Sequence, residues 1–446
     1  MNMSHTYPAE LSIGPLTKPV NATVTVPGSK SITNRALVLA AMLSDGYGPC
    51  CLFGPLRSED TEVMLQALQQ LGFLVVTDWD EDPVFILVDR APQFGDTYPP
   101  FPADVFVANS GTTMRFLAAF VTLGKGRFRL DGVARMRERP IQDLLDALQQ
   151  VGVDARSEYG TGCPPIILEC NSIWRGHHLK VRGDTSSQFL TALLMAAPLA
   201  VSDTGMFQIE VEGPLVSGPY VDMTIAMMKE YGLLVNRKGN VFETCHPGAH
   251  GTVRSFRDYT IEPDASAASY FWAAAAISGG RVTVSGLNRK SLQGDVRFVD
   301  VLQQMGCRVE ECDAGLTVHG RPLRGVDVDM NDISDTVMTL GAVACFAEGP
   351  TTIRNIAHIR HKETDRIAAL ATELRKLGAE VDERPDGMTI TPRPLTGCAV
   401  DTYNDHRMAM SLALIGLKVP GVVIRNPGCV AKTYPGFWQD LEKLRI

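Results

Sequence analysis

No CxxC pair, HExxH pattern, GxxxxGK[ST] loop, GxSxG elbow or strand-linked dinucleotide fingerprint occurs in the 446 residues. The common zinc sites, Walker-type phosphoryl transfer, hydrolase chemistry of the nucleophile-elbow kind and dinucleotide redox chemistry are thereby disfavoured. Positive charge is outnumbered, 42 lysines and arginines against 50 aspartates and glutamates, for a net charge of −8. General nucleic-acid binding wants a basic surface, so it is disfavoured too. Any anion site must be a local concentration of cations on an acidic background. Long apolar runs are also missing. The longest, FLTALLMAAPLAV (189–201), falls short of the ~20 residues a membrane-spanning helix needs. Its small residues suit a buried helix, and no membrane association is expected. The opening MNMSHTYPAELSI lacks a charged segment followed by an apolar one, so a cytoplasmic location is expected. Ten cysteines are scattered without motif, which predicts reduced, mostly buried thiols. The one local Cys/His group, Cys245, His246 and His250, lacks metal-site spacing, so neither metal nor cofactor is expected.

What is present is ordinary in bulk, with 45% hydrophobic and 21% charged residues, and repetitive in detail. A chain of this length predicts two or three domains. An amphipathic helix, a glycine and a short strand recur at MLQALQQLGFLVV (64–76), LLDALQQVGVDA (144–155), IAMMKEYGLLV (225–235), VLQQMGCRV (301–309) and ATELRKLGAEV (371–381). Gly72, Gly152, Gly232, Gly306 and Gly378 mark these sites at intervals of 72 to 80 residues. Such a period signals duplicated units, and each glycine suits the left-handed position that closes a helix. Ahead of each pattern a second helix is predicted. These helices begin near Ser29–Ser31, Asn109–Thr112, Thr185–Ser187, Asp264–Ser266, Asp332–Asp335 and Asn404–Asp405. With the intervening strands the unit reads β-α-β-α-β-β.

The sixth unit, from YNDHRMAM, ends before its last two strands, while LSI and NATVTV (11–26) at the other end are unassigned. The N-terminal strands are therefore expected to complete the last unit. That makes two α/β (α+β) domains of three βαβαββ units each. One spans 29–260; the other combines 1–28 with 261–446. Helix starts that converge in each domain, with the two ends facing, would line a positive cleft.

PGSKSITNR (27–35) heads the first unit, with Lys30 and Arg35 among the hydroxyls of Ser29, Ser31 and Thr33 at a helix start, a natural anion cradle. Similar loops carry Arg115; Arg135, Arg137 and Arg139; Arg360, Lys362 and Arg366; Arg407; and Lys432. Any one could be a plain surface cation. Jointly they suggest substrates bearing several phosphate or carboxylate groups. TSSQF (185–189) adds hydroxyl and amide donors, and Gly111 in NSGTT marks a close backbone approach. Asp335 and Glu363 stand out as carboxylates for acid–base work. In NDISDTVMT, Asp332 is the expected cap, which leaves Asp335 over. Glu363 sits among cations; its plainer role is an i,i+3 pair with Arg366. His406 is expected to be structural. The residues alone thus indicate a two-domain enzyme for anionic small molecules, using carboxylates as acid and base.

PGSKS, NSGTTMR, RMRERPI, SSQFLTALLMAAPLA, SGPYVDMT, DASAASYF, KETDR, YNDHRMAM and AKTYPG occur in this order. Together they resemble the 5-enolpyruvylshikimate-3-phosphate synthase family, over nearly the whole chain. The resemblance implies an inside-out α/β barrel fold of the enolpyruvyl transferase kind, with its cleft between domains. It implies transfer of the enolpyruvyl group of phosphoenolpyruvate to the 5-hydroxyl of shikimate 3-phosphate, releasing phosphate, on the route to chorismate and aromatic amino acids. It also implies a monomer. By likeness, Lys30, Ser31, Arg35, Ser186, Ser187, Gln188, Tyr220, Asp335, Asn355 and Lys362 would serve shikimate 3-phosphate. Lys30, Gly111, Arg139, Gln188, Arg366, Arg407 and Lys432 would serve phosphoenolpyruvate. Lys30, Asp335 and Glu363 would be catalytic, Asp335 taking the 5-hydroxyl proton and Glu363 protonating the methylene carbon. The chain departs from the family pattern at Phe116, where many members carry proline, in NSGTT, at Gly218 and at Pro263. Altered but not abolished inhibition by the herbicide glyphosate is expected. The sister transferase acting on UDP-N-acetylglucosamine uses a loop cysteine, which GVARMRERP lacks. A non-catalytic anion-binding protein on the same scaffold would be expected to have lost Asp335, Glu363 or an arginine; none is missing.

Overall fold

The computed structural model describes residues 7–91, 100–200, 206–245 and 258–445. The chain divides into a contiguous unit, Gly28–Ile261, and a split unit, Met1–Pro27 with Glu262–Ile446.

The contiguous unit holds three four-stranded sheets built on one plan. In the second sheet, Asp104–Phe106 runs parallel to Lys125–Asp131, which pairs antiparallel with Ile166–Asn171, and Asp154–Ser157 lies at the far edge. The third repeats this with His178–Arg182, Met206–Glu212, Val241–Cys245 and Val235–Lys238. In the first, Cys50–Phe53, Phe85–Arg90 and Phe73–Asp78 supply three strands, and the parallel edge comes from Asp258–Thr260. The helices Lys30–Tyr47, Gly111–Phe120 and Ser187–Ala200 pack together. Arg35 lies against Phe116, each five residues past its helix's first residue, and the Arg35 and Thr191 side chains both reach Thr224 Oγ1. Side chains that meet at one level require the three helix starts to lie at one end.

The split unit follows the same plan. Its fifth-repeat sheet orders Asp327–Asp329, Thr351–Arg354, Gly387–Thr391 and Glu380–Arg384. The helices Ala265–Ser278, Val337–Ala344 and His406–Gly416 pack on one another. A line of hydroxyls crosses them at one level: Ser269 Oγ to Thr339 Oγ1 at 3.1 Å, and Thr339 Oγ1 to Ser411 Oγ at 3.4 Å. Ala265–Ser278 is buried on every face through Ile277, which its alanine-rich sequence permits. The five repeat glycines all carry positive φ, from 78° at Gly232 to 113° at Gly306, as a helix-closing position demands.

The two N-terminal strands join different sheets. Glu10–Ile13 pairs antiparallel with Val422–Arg425 and completes the sixth sheet, beside Ala399–Val400. Asn21–Val24 instead runs parallel to Arg281–Ser285 in the fourth sheet, with Gly315–His319 and Arg308–Cys312 beyond. The reason is local. Each sheet needs a parallel leading strand, and the segment just before the chain leaves a unit fills that edge. Asp258–Thr260 does the same for the contiguous unit. Among the described residues no helix is long and apolar enough to cross a membrane.

Candidate active site

In the contiguous unit, Ser29 caps the helix that opens at Lys30, accepting from Ile32 N at 3.5 Å. Lys30 is the first helical residue, and its Nζ lies 3.5 Å from Asp60 Oδ2, a buried carboxylate on the helix Glu59–Gln70. One turn on, Arg35 is 2% exposed. Its Nε donates to Thr224 Oγ1 at 2.8 Å, Nη1 to the Ser31 carbonyl at 2.9 Å and Nη2 to the Tyr220 carbonyl at 3.3 Å. Burial pulls this guanidinium down to about 10, outweighing the opposing effect of Tyr220. The loop of Ser186, Ser187 and Gln188 opens the third helix, with Gln188 N donating to Ser186 Oγ at 3.3 Å.

The second helix start explains Gly111. Ser110 caps it, and Gly111 is the first helical residue. A Cβ at Gly111 would collide with Arg139 Nη2 and stand 2.8 Å from Arg115 Nη1. Both guanidiniums are buried. Arg115 donates to the carbonyls of Gly111 at 3.3 Å and Pro140 at 3.0 Å, and Arg139 to the Asn109 carbonyl at 3.2 Å. The absent side chain thus lets two cations press against a helix start, where N–H groups and dipole favour an anion. The turn presenting Arg139 is anchored by Asp131, which accepts from Arg137 Nε at 2.9 Å and Nη2 at 2.7 Å.

The split unit gathers the carboxylates. Arg366 is wholly buried and serves three of them. Nε donates to Asp405 Oδ2 at 2.8 Å, Nη1 to Asp335 Oδ1 at 3.1 Å and Nη2 to Glu363 Oε2 at 2.8 Å. Arg407 Nη2 donates to the other oxygen of Asp335 at 2.7 Å. Burial disfavours the charge on Arg366, but Asp405, Glu363 and Asp335 outweigh it and raise this guanidinium above its ordinary range. Asp335, Glu363, Arg366 and Arg407 therefore form one connected network. The i,i+3 pair of Glu363 with Arg366 exists, as part of that network. Lys432 is buried at the end of the turn Pro427–Lys432, and Lys362 is half-buried. Asn355 is exposed in a left-handed turn at φ 62°, its amide donating to Asp329 Oδ2 at 3.0 Å, outside the arginine network.

A family model described as EPSP synthase (3-phosphoshikimate 1-carboxyvinyltransferase) matches residues 16–441. The chain belongs to that family. A 3-phosphoshikimate 1-carboxyvinyltransferase of Nostoc sp. is 47% identical over 97% of this chain and 99% of its own length. The protein of that name from Serratia proteamaculans is 46% identical over 95% and 96%. The fold is that of an EPSP synthase from Acinetobacter baumannii, with a TM-score of 0.76 over 98% of both chains at 24% identity.

Against that family background, several residues here went unread in the sequence. The sequence marks Asp405 only as part of a helix start. It caps His406–Gly416 through Arg407 N at 2.9 Å while pairing with Arg366, so one fully buried carboxylate both holds the Arg366 guanidinium and caps the helix that carries Arg407. Asp60 beside Lys30 and Thr224 beneath Arg35 carried no motif. His358 is buried, with Nε2 2.9 Å from Ser334 Oγ; burial, with Lys362 next, pulls its imidazole down to about 3. Asp332 is a correction: it does not cap the fifth first helix. A 3-10 segment, Asn331–Thr336, intervenes; the α-helix starts at Val337, and Asp332 pairs with Arg297 at 3.2 Å. The extra turn is what presents Asp335 to Arg366. His406 is buried, in keeping with a structural role. His246 and His250 lie outside the described residues, and no metal-capable group of His, Cys, Asp and Glu occurs among those described. Burial pushes the thiols of Cys50, Cys170 and Cys345 up to about 12, so none is a ready nucleophile.

Proposed function

We propose that this EPSP synthase family member transfers the enolpyruvyl group of phosphoenolpyruvate to the 5-hydroxyl of shikimate 3-phosphate and releases phosphate. The observation that carries this reading is the Asp335–Arg366–Glu363 network with Arg407 and Asp405. It sets two carboxylates on one guanidinium, which suits separate proton-transfer tasks. In the proposed assignment, Arg35, Ser31, Ser186, Ser187, Gln188 and Tyr220 take shikimate 3-phosphate, with Asp335, Asn355 and Lys362 at its ring. Gly111, Arg139, Gln188, Arg366, Arg407 and Lys432 take phosphoenolpyruvate, and Lys30 serves both substrates.

Glu363 is proposed to protonate the methylene carbon, which builds positive charge on the neighbouring carbon. The 5-hydroxyl oxygen adds there and its proton passes to Asp335, giving a tetrahedral intermediate. Loss of a methyl proton and of phosphate restores the enol ether. A carboxylate paired with Arg366 is a poor acid. Phosphoenolpyruvate, itself anionic and drawing on the same arginine, raises the cost of keeping Glu363 ionised and so favours its acid form. The remaining cations position three acidic groups and stabilise developing charge. The working form is proposed as a cytoplasmic monomer. Glyphosate is proposed to inhibit with altered strength; unaltered inhibition, competitive with phosphoenolpyruvate, would count against that point.

The direct test mixes the protein with shikimate 3-phosphate and phosphoenolpyruvate and follows phosphate release. Steady release that needs both substrates is expected. No release, with turnover on UDP-N-acetylglucosamine instead, would overturn the assignment.

A further inference from the structure

Arg35 differs from the split unit's arginines in what surrounds it. Its hydrogen-bond acceptors, Thr224 Oγ1 and the carbonyls of Ser31 and Tyr220, are all neutral. A guanidinium has five N–H donors, so three bonds leave two for another acceptor. No ion pair reaches Arg35 among the described residues, although it is buried. Negative potential comes instead from ring faces. The Phe116 ring centroid lies 5.1 Å from the guanidinium carbon and that of Tyr220 lies 6.0 Å away. Phe116 is fully buried on the adjoining helix Gly111–Phe120, so its ring is held in place from behind.

The physical contrast is with a carboxylate. A carboxylate here would neutralise the guanidinium and engage its N–H groups, so an arriving phosphate would have to displace it. A ring face favours the cation without accepting a conventional hydrogen bond. We propose that Phe116 is a positioning residue for substrate binding: its ring face holds the Arg35 guanidinium charged and in place while leaving N–H donors free for the substrate's anionic oxygens. This rests on the reading above in which Arg35 takes shikimate 3-phosphate. Phe116 acts through Arg35 and touches no substrate itself.

The test replaces Phe116 with phenylalanines carrying one, two and three ring fluorines. Ring size hardly changes, while the negative potential of the face falls stepwise. Shikimate 3-phosphate binding is measured by titration, together with kcat and the KM for phosphoenolpyruvate. Affinity should fall with each fluorine, reaching about tenfold at three, while kcat at saturation changes less than about twofold. The alkaline limit of binding should also move to lower pH along the series, which simple space-filling would not produce. A Phe116→Met variant, apolar and flexible but without a ring, should bind more weakly than wild type. Unchanged affinity across the fluorinated series, or wild-type affinity in Phe116→Met, would overturn the inference alone. A wild-type protein that binds no shikimate 3-phosphate would sink the functional reading and this inference with it.

Discussion

Arg366 spends all of its donor nitrogens on Asp405, Asp335 and Glu363, so changing one carboxylate is felt by the others. Glu363→Gln keeps the shape but cannot deliver the proton. We expect kcat to fall by about a hundredfold or more, with KM for shikimate 3-phosphate within a fewfold. Steady-state kinetics checks this, and a loss confined to KM would remove Glu363 from the acid role. Arg35 makes a different prediction. With its guanidinium at about 10, shikimate 3-phosphate should bind well below that pH and lose affinity as pH rises through it. His358 titrates in the other direction. Its folded value of about 3 lies below the ordinary ~6.5, so the unfolded chain takes up the proton first. Its contribution to stability is therefore present above ~6.5 and is lost as pH falls towards 3, on the order of a few kcal/mol. Denaturant titrations at pH 7 and 4.5 should show a smaller acid-side loss in His358→Gln than in wild type. These residues differ in how readable they were. Lys30, Arg35, Glu363 and Arg366 sit in dense local motifs. Asp60, Asp405 and His358 act through partners 24 to 39 positions away, and no local pattern marks such pairings.

The helix starts are the elements on which the candidate site is built, and at four of the six a capping side chain lies where the sequence offers one. Ser29, Ser110, Asp264 and Asp405 each accept a backbone N–H at their own helix. The fifth start misled because two aspartates compete within NDISDT, and a 3-10 turn with a non-helical Ile333 separates them from the α-helix. Propensity does not register such a kink. At the second start, Gly111→Ala should drive a methyl group into Arg139 and Arg115. We expect KM for phosphoenolpyruvate to rise by about tenfold or more, with KM for shikimate 3-phosphate little changed. Equal KM values for phosphoenolpyruvate in variant and wild type would show that the guanidiniums move aside at no cost. The repeat itself was legible because its glycines recur at a steady period. The exchange of leading strands was not, since Asn21–Val24 and Asp258–Thr260 are short strands whose partners no neighbouring residue specifies.

For the molecule as a whole, strand exchange makes the two units unequal. Among the described residues, the sheets of Gly28–Ile261 draw only on strands of that unit, whereas Glu262–Ile446 depends on Glu10–Ile13 and Asn21–Val24. Arg445 donates to the carbonyls of Gly14 and Pro15, so the N-terminal strand segment and the last described helix are neighbours in the split unit. Residues 28–261 expressed alone should unfold in one cooperative transition, and 262–445 alone should not. Joining 7–27 behind residue 445 through a short flexible linker should restore cooperative unfolding to the split unit. Circular dichroism on thermal ramps would check all three, and a cooperative 262–445 fragment would show the N-terminal strands to be dispensable.

The same strand exchange has a consequence for synthesis on the ribosome. Residues 10–24 emerge before the contiguous unit, yet their partners, Arg281–Ser285 and Val422–Arg425, emerge after it. At ~5–20 residues per second, the earliest strands wait tens of seconds with unpaired edges, while the middle of the chain can already fold. Both are only four residues long, and short edges are poor templates for wrong pairing. A strand made late, Val422–Arg425, thus completes its sheet with one made early, Glu10–Ile13.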